Sequence, residues 1–363
     1  QLDRIEEKQQ SFEEVPIAKE KTNVVEIIPT NYKYDEANQV IGGLKSKFKA
    51  NIEAIKTLKN IESSERLAFP DEQAILSKYS GWGGMPQAFD KNATAWENEY
   101  LELKEILTES EYESARFSTM NSHYTPPEVI NSIYKALEQF GFKQGNILDP
   151  SMGIGNFFSL IPKSMDKSNL YGVELDSISG RISRQLYPKA NIQISGFEET
   201  QFNNNFFDVA ITNVPFGDYK IFDKEYNQYN LYIHDYFFAK SLDKVRPGGI
   251  VAFVTSKGTL DKANPTFRKY LAERAELIGA IRLPNTVFKK SANTEVTSDI
   301  IFLKKKEQMA IEEPDWIYVA QNDDGIPVNE YFLNNPDMLL GKMVYDVRMF
   351  GENSKYTTLV NDD

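Results

Sequence analysis

At 363 residues the chain is long enough for one large domain with a smaller companion, and its 41% hydrophobic and 26% charged residues are the balance of a folded protein. It has no cysteine and only two histidines, His123 and His234, which excludes thiol nucleophiles, disulfides and a histidine cage, so no resident metal is expected. A net charge of −12 argues against a surface that grips phosphate everywhere, and no run approaches the roughly 18 apolar residues of a membrane helix, so a cytoplasmic chain with no membrane partner is expected.

Residues 1–30 are rich in Glu, Lys and Gln, begin without Met, and read as a segment cut from a longer polypeptide. From Tyr34 to Tyr112 apolar positions recur at helical spacing, as in Ile52, Ile55 and Leu58, which predicts a mostly helical region over 1–121. Ser80-Gly81-Trp82-Gly83-Gly84-Met85-Pro86 interrupts it. Its glycines predict a tight turn that either plugs Trp82 into the core or touches a ligand.

After Ser122 strand and helix signals alternate. Strands are predicted at Asn146–Asp149, Leu170–Glu174, Ile192–Ser195, Val209–Asn213, Ile250–Thr255, Leu277–Leu283 and Ile300–Leu303. Helices are predicted at Pro127–Phe140, Ser177–Leu186, Leu231–Val245 and Pro265–Arg274. Such alternation over 122–306 predicts a Rossmann-like α/β fold, a mostly parallel seven-stranded sheet with helices on both faces. These sheets bind ligands at the carboxyl ends of their strands. Residues 240–306 carry 14 basic and 6 acidic side chains, a stretch that would face a polyanion or simply be solvated. Residues 307–363 carry 3 and 12, have weak periodicity, and read as an acidic appendage.

The unusual residues fall at strand ends. Asn146-Ile147-Leu148-Asp149 runs into Pro150-Ser151-Met152-Gly153-Ile154-Gly155-Asn156-Phe157, where glycines 153 and 155 would let backbone approach a ligand. The third glycine of a dinucleotide loop is missing, and Glu174 closes the next strand about where an acid must sit to hold ribose hydroxyls. A ribose without a diphosphate points to S-adenosylmethionine as cofactor. Phe197, after the third strand, would pack on its adenine or simply in the core.

The fourth strand ends in Asn213-Val214-Pro215-Phe216-Gly217. An amine on an aromatic ring is a poor nucleophile because its lone pair is delocalised. An Asn carbonyl with an adjacent main-chain carbonyl can accept both N–H bonds and free that pair, and Phe216 can stack on the ring. Positioning then supplies most of the acceleration, so the absence of Cys and near absence of His is no obstacle.

At these residues the chain resembles the N6-adenine DNA methyltransferases whose cofactor motifs precede their recognition region, over roughly Ser122 to Lys306. His123-Tyr124-Thr125-Pro126-Pro127 resembles the motif that opens their domain, Asp149 to Phe157 their cofactor loop, and Asn213 to Phe216 their catalytic Asn-Pro-Pro-Phe/Tyr. The resemblance implies a cofactor site of His123, Thr125, Asp149, Pro150, Gly153, Gly155, Phe157, Glu174, Phe197 and Glu198, and catalysis by Asn213, Val214, Pro215 and Phe216. It also implies a flipped adenine stacked between Phe216 and Phe288, with Lys289 and Lys290 against DNA phosphates. Tyr79 to Asp90 is similar to the large methylase–helicase polypeptides of bacterial mobile elements and phages, which implies a helicase in the same full-length chain.

Two departures stand out: Val214 replaces the first Pro of the catalytic motif, and Gly196 stands where relatives carry an Asp for the adenine amino group, a role Glu198 would have to take. They leave open a catalytically degenerate module that binds cofactor or DNA for the helicase. A further alternative is an RNA or protein-glutamine N-methyltransferase, whose planar amine acceptors suit a similar clamp.

Overall fold

The computed structural model describes residues 28–119, 124–289, 295–346 and 355–361. His123, Lys290 and the polar start as far as residue 27 lie outside the described residues.

Four helices come first: α1 (Leu44–Ser63), α2 (Pro70–Leu76), α3 (Glu97–Ile106) and α4 (Glu109–Ser118). Then follow α5 (Pro127–Gln139), β1 (Asn146–Asp149), α6 (Asn156–Ser159), β2 (Asn169–Glu174), α7 (Ser177–Leu186), β3 (Asn191–Ile194) and β4 (Phe207–Asn213). The sheet is completed by β5 (Val245–Ser256), β6 (Ala275–Leu283) and β7 (Ser298–Lys305), with α8 (Ile233–Lys244), α9 (Gly258–Asp261) and α10 (Thr266–Arg274) between them and β4. The seven strands form one sheet in the order β3-β2-β1-β4-β5-β7-β6, parallel except for β7, which is antiparallel to both its neighbours. Each predicted strand coincides with one of them.

Because both faces are covered, strand side chains alternate between two cores. Ile147, Val209, Ile211, Ala252, Val254 and Phe302 face one; Leu148, Ala210, Val251, Phe253, Ile301 and Leu303 face the other. Hence these strands read as unbroken apolar runs rather than alternating ones. The first core is closed by α1, α5 and α7 through Ile55, Leu58, Ile133, Leu137 and Ile182. The second is closed by α8 and α10 through Phe238, Leu242 and Leu271.

The acidic segment joins the second core. It forms two ribbons, β8 (Val319–Gln321) with β9 (Pro327–Asn329) and β10 (Lys342–Tyr345) with β11 (Thr357–Val360), around the short helix α11 (Glu330–Asn334). Ile317, Val328, Phe332, Met343 and Leu359 are buried. Elements this short hold too few residues to show a period, which is why the segment reads as featureless in sequence.

The glycine-rich turn after α2 is built around Trp82, which is 1% exposed and meets the rings of Phe48, Tyr79 and Phe89 edge-on at 5.9, 6.2 and 5.4 Å. Gly81 and Gly84 take φ of +65° and +74°, a region open to glycine and closed to most side chains. Buried Asn51 of α1 holds the turn, donating Nδ2 to the Gly81 carbonyl at 2.6 Å and accepting from the Ser80 N–H at 2.8 Å. The helices are also tied to α7 by Arg181, which bonds Glu62 at 2.7 and 2.8 Å and Glu111 at 2.6 Å. Despite burial, Arg181 and Lys59 hold the Glu111 carboxyl down at about 2.

Among the described residues, no helix is long and apolar enough to cross a membrane. Asn51→Leu should lower unfolding free energy by roughly 2–4 kcal/mol in denaturant titration, because it leaves the Ser80 N–H and Gly81 carbonyl without their buried partner.

Candidate active site

β1 and β4 are neighbours, paired Ile147↔Val209 and Leu148↔Ala210. The chain winds from β1 to β2 and β3 on one side and from β4 to β5 on the other, so the carboxyl ends open a crevice at the reversal. The crevice holds a cavity of about 550 Å³, within the range of small-ligand sites. Thr125, Pro150, Gly153, Phe157, Glu174, Phe197, Glu198, Asn213, Val214, Pro215 and Phe216 all line it.

A hydrogen bond joins the two loops. Thr212 Oγ1 donates to Asp149 Oδ1 at 2.6 Å, and the Ser151 N–H reaches the same oxygen at 3.2 Å. Asp149 is wholly buried, beneath the cavity wall rather than on it. Burial pushes its carboxyl up to about 7, against the Thr212 and Ser151 bonds that favour the charged form. Its Oδ2 and Thr125 Oγ1 are buried polar atoms without a hydrogen-bond partner among the described residues.

Glu174 accepts the Gly153 N–H and the Asp176 N–H, each at 2.7 Å, which fixes its carboxylate at the edge of the glycine loop. Burial first, then the neighbouring Asp176, pushes its carboxyl up to about 7. Phe197 packs on Phe237 with centroids 5.2 Å apart. A Cβ built on Gly196 would collide with the Glu198 carboxylate, so that carboxylate fills the space a side chain at 196 would occupy.

Val214 is 1% exposed, and its N–H donates to the Val254 carbonyl at 3.0 Å, carrying the β4–β5 ladder one bond past the Asn213↔Val254 pair. A proline there could not make that bond. Asn213 and Phe216 are half-buried beside it.

Some predicted features lie elsewhere than at the cavity wall. Phe288 is 2% exposed, packs in the first core and does not line the cavity. Gly155 does not line the cavity either; its φ of +84° and the Tyr187 ring, which a Cβ would strike, account for the glycine. Part of the basic stretch is paired with carboxylates: Lys240 with Asp223 at 2.9 Å and Arg282 with Asp261 and Asp299 at 2.6 and 2.8 Å in buried positions, and Arg246 with Asp208 at 2.6 Å at the surface. Even exposed Lys289 is paired, to Glu295 at 2.7 Å.

Sequence reasoning missed part of the wall. Tyr79, Ser114 and Phe117 come from the helical region, and Tyr219 to Phe222 from the chain after Phe216; Gly81, of the turn that sequence left open to ligand contact, lines it too. Asp176 also lines the cavity, accepting from Ser114 Oγ at 2.9 Å and capping α7 through the Ser179 N–H at 2.8 Å. Asp176 had a signal of its own, the Asp-Ser-Ile-Ser pattern of a helix N-cap.

Residues 105–361 match the family model described as N-6 DNA Methylase. The chain belongs to this family. As an N-6 DNA methylase family member it is similar to "Defense against restriction protein B" of Escherichia phage P1, at 30% identity over 219 residues. That match takes in 59% of this chain and only 10% of the phage protein's length. Among solved structures it is similar to a Listeria monocytogenes protein assigned to the class I S-adenosylmethionine-dependent methyltransferases, at 17% identity and a TM-score of 0.47, over 73% of this chain and 90% of that one. Another is a modification subunit assigned to a type I restriction enzyme of Vibrio vulnificus, at 15% identity and a TM-score of 0.43, over 80% and 82%.

The cofactor of this S-adenosylmethionine-dependent methyltransferase family fits the residues present. Glu174 offers a carboxylate of the kind that accepts from a ribose diol, Glu198 one that can accept from an amino group, and the orphan Thr125 hydroxyl lacks only a partner. Among the described residues no group of His, Asp and Glu is arranged to hold a metal ion.

The raised Glu174 carboxyl sets a pH dependence. As pH rises from about 4.5 to about 7 the unfolded chain ionises before the folded one, so Glu174 makes folding progressively less favourable and then levels off. The Tm difference between Glu174→Gln and wild type should therefore move in the variant's favour across that window, while its affinity for S-adenosylmethionine falls; differential scanning fluorimetry and calorimetry read the two effects.

Proposed function

We propose that the chain is the methylating part of a DNA adenine-N6 methyltransferase and that its full-length polypeptide also carries a helicase. The observation that supports this most is the Thr212–Asp149 bond, which puts the Asn213 loop and the glycine loop into one cavity. S-adenosylmethionine supplies, when bound, a methyl group on a sulfonium, an electrophile that needs no further activation. Thr125, Glu174, Phe197 and Glu198 bind and orient it. The target adenine has to leave the duplex stack to reach the cavity.

Asn213 Oδ1 and the Val214 main-chain carbonyl accept the two hydrogens of the adenine amine and return its lone pair to nitrogen, while Phe216 stacks on the ring. Aligned in this way, the nitrogen would take the methyl carbon as the carbon–sulfur pair left with sulfur, and the surplus proton on N6 would pass to water. Proximity and alignment provide the acceleration.

The two departures from the usual pattern have structural replacements, which supports an active site over a degenerate one. The Val214 N–H bond to β5 fixes the loop in place of proline's locked φ, and Glu198 fills the position emptied at 196. The phage relative, of which the match takes in 10%, and the Tyr79–Asp90 motif support a long polypeptide of a phage or mobile element.

Labelled S-adenosylmethionine with unmethylated DNA, RNA or protein tests the reading: label should enter DNA as N6-methyladenine. Asn213→Ala should cut transfer roughly a hundredfold or more at unchanged cofactor affinity, in line with removal of one oriented transition-state partner. Transfer persisting in that variant, or label entering RNA or glutamine instead, would refute it. Glu198→Gln should weaken cofactor binding roughly tenfold in calorimetry, as expected for losing a hydrogen bond to a charged acceptor.

A further inference from the structure

A base held for in-line attack needs a wall on each face, and Phe216 supplies one. With Phe288 buried in the core, the opposite wall has to come from elsewhere on the cavity. Tyr79, Phe157, Phe197 and Phe237 line it but are at most 5% exposed, with their rings already packed in the cores. Phe117 stands one helical turn beyond Ser114, whose hydroxyl bonds Asp176 next to Glu174, and so belongs to the β2 end of the crevice. Tyr219 is folded back on Gly217, where a Cβ would strike its ring.

Phe222 remains. It is 75% exposed and lines the cavity on the chain that leaves Phe216. A lone exposed aromatic needs no explanation, but this one sits on a segment pinned on both sides. The Ile233 N–H bonds the Tyr219 carbonyl at 3.0 Å, Lys220 Nζ bonds Asn230 Oδ1 at 2.6 Å, and Ile221 packs on the second core. Immediately after it, Asp223 accepts from Tyr236 Oη at 2.8 Å and from buried Lys240 Nζ at 2.9 Å. The backbone that carries Phe222 is thus anchored at the residues before and after it, and its ring is left facing water at the cavity mouth. Holding an aromatic ring ready in this way lowers the ordering cost when a planar partner arrives.

We infer that Phe222 is the second stacking wall, closing on the extruded adenine opposite Phe216. The inference rests on the reading given under Proposed function and adds to it a residue outside the motif segments that frame the domain. Stacking of a base on an aromatic ring is worth about 1–3 kcal/mol, which corresponds to roughly five- to 150-fold in affinity or rate.

The test begins by mapping the adenine that the wild-type chain methylates in unmethylated plasmid DNA, then uses a duplex carrying 2-aminopurine at that position. Phe222→Ala should lower kcat/KM for DNA ten- to a hundredfold and abolish the change in 2-aminopurine fluorescence on binding, with cofactor Kd held within twofold. Phe222→Trp should restore both readouts to within a few-fold. Phe288→Leu should lower Tm without altering either readout in the folded protein. Phe222→Ala transferring at the wild-type rate, losing cofactor affinity in proportion to transfer, or being matched by Phe288→Leu in the fluorescence readout would each overturn the assignment. If the wild-type chain methylates no DNA, the parent reading fails first and this one falls with it.

Discussion

The hydroxyl-to-carboxylate bond between Thr212 and Asp149 ties together two loops that start on different strands, and the geometry of the crevice depends on it. Asp149 closes the strand that feeds the glycine loop; Thr212 stands one residue ahead of Asn213. Adjacent parallel strands set their spacing, and the bond fixes how their ends turn. It also makes a wholly buried carboxyl tolerable, since the Thr212 hydroxyl and the Ser151 N–H are its hydrogen-bond partners on Oδ1. A site that works by holding reactants has to be stiff at the loops that hold them, and here stiffness comes from packed strands and this short bond rather than from covalent links.

The same economy explains how the chain diverges from the common motif without visible damage. A residue's contribution can be supplied by another atom if that atom reaches the same point in space. The Val214 N–H ties its loop to Val254, and the Glu198 carboxylate occupies the space over Gly196. In both cases the replacing group lies on or within two residues of the position it serves.

Much of this was legible from the amino acids alone, and the failures are instructive. The strands could be read because burial on both faces demands consecutive apolar residues such as Val209-Ala210-Ile211. The crevice could be read because Gly153, Glu174 and Asn213 each stand at or just past a strand's carboxyl end. The burial of Phe288 was not legible, because a motif position says nothing about which way a ring points. The pairing of the basic stretch was not legible because the partners of Lys240 and Arg246, Asp223 and Asp208, lie outside it, while Arg282 finds Asp261 and Asp299 within it. Ser114 and Phe117 were invisible, being ordinary residues of an amphipathic helix until the fold brings α4 against α7.

Gly81 and Phe117 belong to a layer outside the sheet, held by Asn51 and by the Arg181 bridges to Glu62 and Glu111, yet they form part of the same hollow as Glu174. Any molecule that touches both layers is bound only by their docked arrangement, so occupancy and docking are linked reciprocally: each tightens the other by an equal free energy. The helical layer is then part of what holds an occupant of the hollow as well as its cover.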